Sequence, residues 1–147
     1  MADEKKFHVV VTWEGDGSGR GAIQPGEART IEIGSSKELD GSGHGTNPEE
    51  LLLSAVGACF VATWAIFLKK LGIQYSVPSL SLDGSLDKDP AGGFKMTRIE
   101  IAARVPAELL ASRKVEIEKT LQLAEKYCII SKVARAAMPL EVRIEQV

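Results

Sequence analysis

From Leu51 to Leu68 the chain runs 18 residues without a charge (LLLSAVGACFVATWAIFL), and this segment limits the possible folds more than any other. Its ends are specified. Asn47 suits a cap, Pro48 a first turn, and Glu49 and Glu50 complement the positive end of a helix dipole. Lys69 and Lys70 complement the other end, and Gly72 can stop the helix. At 1.5 Å per residue the uncharged run spans roughly 27 Å, long enough to cross a bilayer. Its Ala content, with Ser54, Gly57 and Thr63, and the mixed sequence around it favour the central helix of a core, with no membrane partner. Ser54, Ala55, Gly57, Ala58 and Ala62 would let other elements approach closely. Cys59 stands in the middle. Apolar burial raises a thiol's pKa and only the thiolate is a strong nucleophile, so activity at Cys59 is expected to need a nearby cation.

Strand patterns flank this helix. Phe7, Val9, Val11 and Trp13 alternate with polar or smaller residues, the period of a half-buried strand. The turn Gly15 to Gly21 leads to weaker strands near Gly21 to Gln24 and Arg29 to Ile33, an antiparallel meander. Residues 34–46 form a Gly- and Ser-rich loop before the helix, long enough to line a site. After the helix, strands are predicted over Tyr75 to Leu86 and Phe94 to Val105. A change of apolar parity predicts a bulge near Arg98. Pro106 opens a second long helix ending near Tyr127. Cys128 precedes a short helix, and Leu140, Val142 and Ile144 alternate in a last strand.

With 147 residues, 44% hydrophobic and 26% charged, the expectation is a single domain over residues 1–147. A net charge of -2 and no basic stripe with interleaved aromatics argue against a nucleic-acid partner. Residues 1 to 6 (MADEKK) lack the apolar segment of a secretory signal, so a cytoplasmic, reducing location is expected. There a pair of cysteines is more often catalytic or redox-active than structural. His8, His44 and the two cysteines lack the close spacings of structural zinc sites, so no metal is expected. Gly15 to Gly21 lacks the Lys-Ser/Thr ending of a phosphate loop and joins strands, which makes it a hairpin turn. His44 as a hydrolase base is set against a solvated loop residue between two glycines.

Cys59 and Cys128 could be two unrelated core thiols, and composition alone favours that. Their surroundings are more specific. Gly45-Thr46-Asn47-Pro48-Glu49-Glu50-Leu51-Leu52 followed by Gly57-Ala58-Cys59-Phe60 resembles the Cys-helix signature of the osmotically inducible protein C and organic hydroperoxide resistance (OsmC/Ohr) family. Cys128-Ile129-Ile130-Ser131-Lys132 is similar to that family's second-cysteine motif, with Ile129 where Pro is common. The resemblance implies an α+β, OsmC-like fold, with antiparallel sheets packed around a central buried cysteine helix and a second long helix, in an intertwined homodimer. It implies a thiol-dependent peroxidase acting on organic hydroperoxides and hydrogen peroxide without a cofactor. Cys59 would be the peroxidatic thiol and Cys128 the resolving one, joined as a disulfide that small dithiols or lipoylated proteins reduce.

The same resemblance calls for an activating Arg and a carboxylate partner. Arg20 takes the first role, displaced from the family's usual place nearer Gly17 or Ser18, with Arg29 as its rival; Glu49 takes the second. Glu49 precedes Cys59 by ten residues on one helix, roughly 15 Å along its axis, so a shared pocket would need a second subunit. Position at a helix N-terminus is expected to lower the Cys128 pKa. The alternative function is an OsmC-like ligand-binding or structural protein with inert cysteines.

Overall fold

A computed structural model describes residues 4–147, so the first three positions of the charged leader lie outside the described residues. The element order is that predicted: β1 (Val9–Glu14), β2 (Arg20–Pro25), β3 (Ile31–Gly34), α1 (Pro48–Lys70), β4 (Ser79–Lys88), β5 (Phe94–Val105), α2 (Ala107–Tyr127), α3 (Ile129–Ala137) and β6 (Leu140–Gln146). The chain packs as two compact units, one reaching Leu52 and the other running Leu53–Val147.

In the first unit β1, β2 and β3 form the expected antiparallel meander. Asp16 builds the first hairpin turn: its carboxylate accepts from the Ser18 amide (2.9 Å) and hydroxyl (2.7 Å), and its carbonyl from Trp13 Nε1 (2.8 Å). Gly19 is obligatory there, because a Cβ would stand 2.0 Å from the Glu14 carbonyl oxygen. The loop before α1 is pinned by the Gly34 amide donating to Thr46 O (2.8 Å) and the Thr46 amide to Glu32 O (3.0 Å), with a short 3-10 turn at Lys37–Leu39. β1 departs from the half-buried strand expected of it: all six of its residues are exposed, Val9, Val10 and Val11 by 50–57%. Alternation shows that a strand has an apolar face, but not what covers that face.

In the second unit α1 and α2 accompany the sheet β4-β5-β6. Asn47 Oδ1 caps α1 by accepting from the Glu50 amide (2.9 Å), and Gly72, at φ 68°, ends it as Ile73 N–H bonds Leu68 O (2.9 Å). Val56, Phe60, Trp64 and Leu68 form the buried stripe of α1 and pack with Ile99, Ile101, Val105, Ile117 and Leu121. Gly57 lets the helix approach β4: a Cβ there would meet Leu82 Cδ1 at 2.9 Å. The buried Trp64 Nε1 donates to Thr120 Oγ1 (2.9 Å), which donates to Ile117 O (2.7 Å) and so ties α1 to α2. The opposite stripe of α1, Ser54, Ala55, Ala58, Ala62 and Ala65, is exposed together with Ile66. α1 is the one helix among the described residues long and apolar enough to cross a membrane.

The bulge falls where the change of parity places it, with Ser85 opposite Arg98 and Leu86 opposite Met96, leaving Thr97 as the extra residue. Two features have no counterpart in the sequence pattern. β6 lies parallel to β5, whereas the other strand pairs among the described residues are antiparallel. α2 breaks at Arg113 (φ -137°, ψ 29°), whose guanidinium donates to Leu71 O (3.2 Å) and Glu116 Oε1 (3.1 Å).

Thr120→Val keeps the shape but leaves the buried Trp64 N–H without an acceptor. We expect it to destabilise the protein by about 1–3 kcal/mol in chemical denaturation.

Candidate active site

The two cysteines, 69 residues apart in sequence, meet in the second unit. Cys59 is half-buried at the middle of α1 and Cys128 is fully buried at the junction of α2 and α3; both are free thiols. The backbone at Cys128 is extended (φ -64°, ψ 114°), so one residue ends α2 and caps α3. Its amide bonds Ala124 O (2.8 Å), and its sulfur accepts from the Ser131 amide (3.4 Å). A new helix starting there leaves first-turn N–H groups without intrahelical acceptors. Those of Ile130 and Ile129 lie near enough to Cys59 to favour its thiolate, as does the Cys128 thiol.

Burial pushes the Cys59 thiol up, but the Ile130 amide, the Cys128 thiol and the Ile129 amide together bring it below the ordinary thiol value. Thr63 also lies beside the sulfur. Its hydroxyl donates to Cys59 O at 2.8 Å, so its one proton is committed and the amides are the effective donors. Cys128 moves the other way. Burial pushes it up, the Ser131 donors oppose this, and Cys59 adds to the rise. The pair is polarised: Cys59 is the easier to ionise, and Cys128 serves as its donor.

Two expectations are corrected by this geometry. Cys59 is eased toward its thiolate by a helix N-terminus on the same chain, not only by a cation. Cys128, although it caps that helix, is raised and not lowered, because it is wholly desolvated and the neighbouring Cys59 adds to the rise, together outweighing the Ser131 donors. No residue type marks a backbone amide, so the sequence signal was only indirect: a cysteine placed immediately before a helical pattern.

The other predicted residues lie in the first unit. Glu49, in the first turn of α1, has its Oε2 buried without a hydrogen-bond partner. It lines a cavity of about 350 Å³ with Trp13, Gly17, Ser18 and Asp40, and no Lys or Arg shares that lining. Arg20 is the first residue of β2, exposed, and forms no ion pair among the described residues. The chain by itself therefore does not join Arg20 to Glu49. Arg29 is exposed between β2 and β3, and His44 Nε2 lies 3.8 Å from Glu32 Oε1.

The family model for OsmC-like protein matches residues 41–143, which include both cysteines and Glu49. The chain belongs to the OsmC-like protein family. Among curated relatives, Uncharacterized protein YmaD of Bacillus subtilis is 29% identical over 143 residues, covering 96% of this chain and 93% of that one. Peroxiredoxin OsmC of Escherichia coli is 29% identical over 136 residues, covering 90% and 92%. The crystal structure of an OsmC like protein from Mycoplasma pneumoniae superposes with a TM-score of 0.81 at 18% identity over 99% of both chains. The α+β, OsmC-like fold is thus shown, and the family includes proteins named peroxiredoxin and organic hydroperoxide resistance protein-like.

Proline at position 130 keeps helical backbone in a first turn but removes the stronger amide donor to Cys59. We expect Ile130→Pro to move the pH profile of Cys59 alkylation to higher pH, with about a tenfold loss of rate at neutral pH per unit of pKa. Ile129→Pro should shift it less, since its amide is the weaker of the two.

Proposed function

We propose that this OsmC-like protein is a thiol-dependent peroxidase that reduces organic hydroperoxides, and hydrogen peroxide, through Cys59 and Cys128. The observation that carries this is the polarised sulfur pair: one half-buried thiol made easier to ionise by helix amides, beside a second thiol in reach of it. The Cys59 thiolate attacks one peroxide oxygen. An S–O bond forms, the O–O bond breaks, and the leaving alkoxide takes a proton and departs as alcohol, leaving a sulfenic acid. Cys128 condenses with it to a disulfide and releases water. A dithiol or a lipoylated protein then returns both thiols, with no cofactor required.

Arg20 and Glu49 enter as the family resemblance assigns them. The guanidinium holds the peroxide and stabilises charge on the departing oxygen, and the carboxylate holds the guanidinium. The protein acts as a homodimer in this proposal. Support comes from the exposed apolar residues of β1 and the exposed small-residue stripe of α1, both of which a second copy can cover.

In an assay with a dithiol and cumene hydroperoxide, Cys59→Ser should abolish turnover, Cys128→Ser should complete one turnover and stall, and Arg20→Met should slow peroxide attack by about 100-fold. Peroxide consumption by Cys59→Ser at the parent rate would exclude the mechanism. A Cys59 that alkylates only at alkaline pH would favour the alternative, a ligand-binding or structural protein with inert cysteines. Sedimentation at micromolar concentration should give a dimer, and a monomer there removes the shared-subunit part of the proposal.

A further inference from the structure

Two fully buried hydroxyl residues of the second unit are treated differently by their surroundings. Thr120 accepts from Trp64 and donates to Ile117 O, whereas Ser131 Oγ has no hydrogen-bond partner. A buried hydroxyl without a partner carries a desolvation cost, so its presence asks for a state in which it is used. Ser131 is the third residue of α3. Its amide already donates to Cys128 Sγ at 3.4 Å, and its unpartnered hydroxyl, on the same residue, can rotate toward that sulfur.

We propose that Ser131 is the hydrogen-bond donor that lets Cys128 resolve the sulfenic acid, its hydroxyl and amide together holding the negative charge that develops on Cys128 Sγ. This rests on the peroxidase reading. After the hydroperoxide has oxidised Cys59, Cys128 Sγ attacks Cys59 Sγ. The S–S bond forms, the S–O bond breaks, and the leaving hydroxide takes up the Cys128 proton as water. In the reverse direction, a dithiol that attacks Cys59 Sγ expels Cys128 as a thiolate onto the same two donors.

The order of events follows from what faces Cys128. Among the described residues Cys59, on α1, is the titratable group whose charge raises Cys128, and that charge opposes a second thiolate. Oxidation turns Cys59 into a neutral sulfenic acid and removes the opposition. Burial is then the obstacle that remains, and the Ser131 donors act against it. Cys128 is therefore easier to ionise once Cys59 has reacted.

The test is a single turnover of the full-length protein with one equivalent of cumene hydroperoxide, between pH 5.5 and 9 as working limits on the scale of thiol titration. Sulfenic acid and disulfide are each quantified by mass spectrometry after quenching. Ser131→Ala, a nearly isosteric change, should form the Cys59 sulfenic acid at the parent rate. It should form the disulfide about tenfold more slowly at neutral pH, with the pH midpoint of that step moved upward by about one unit. Disulfide formation at the parent rate with an unmoved midpoint overturns the role of Ser131. A slower disulfide step with an unmoved midpoint also overturns it, since lost packing alone gives that result. If the parent protein forms no sulfenic acid, the peroxidase reading itself fails, an outcome distinct from both.

Discussion

A negative sulfur inside an apolar helix is costly, and the first-turn amides of α3 are what offset that cost at Cys59. Much of the second unit can be understood as the means of holding those amides in place. The extended residue at 128 breaks α2 from α3, so that α3 begins a new ladder with free N–H groups at its start. β6 follows α3 directly and is locked beside β5 along seven register pairs. On the other side, the Trp64–Thr120 bond fixes α1 to α2 within one and a half turns of the reactive sulfur. The cysteine helix and the donor helix are each held by buried or ladder contacts, and neither depends on a mobile loop.

The arrangement also divides labour between the two thiols without any difference in residue type. Depth does it: Cys128 is fully buried and Cys59 half-buried. Donor direction adds to it, since Ile129 and Ile130 serve one sulfur and Ser131 the other. Ile129 stands where a Pro is common in the OsmC/Ohr second-cysteine motif. A Pro has no N–H, so this chain carries one more donor to Cys59 than that motif would supply.

The element order, the caps of α1 and the bulge opposite Ser85 were all legible in the sequence, because each is a local matter of period, cap chemistry or parity. The meeting of Cys59 with Cys128 was legible only through family resemblance, since nothing local relates residues so far apart. The parallel direction of β6 was not legible, because it depends on how α2 and α3 carry the chain across the sheet. Nor was the break at Arg113, which bonds a carbonyl of Leu71 that is distant in sequence. The sequence pointed to a cation for Cys59; the structure adds backbone amides, which carry no side-chain signature. Glu49 was found correctly as a helix-start acid, but its unpartnered oxygen and the base-free cavity beside it are three-dimensional facts.

The place of α3 has a consequence for the chain as it is synthesised. Cys59 leaves the ribosome well before Cys128 and the helix whose amides favour its ionisation, and those amides are in position only once the last strand has paired with β5. Until then Cys59 lacks the donors that favour its thiolate. The lowered pKa of Cys59 is thus a property of the completed fold, and a chain that has not yet made α3 carries a cysteine without its activating donors.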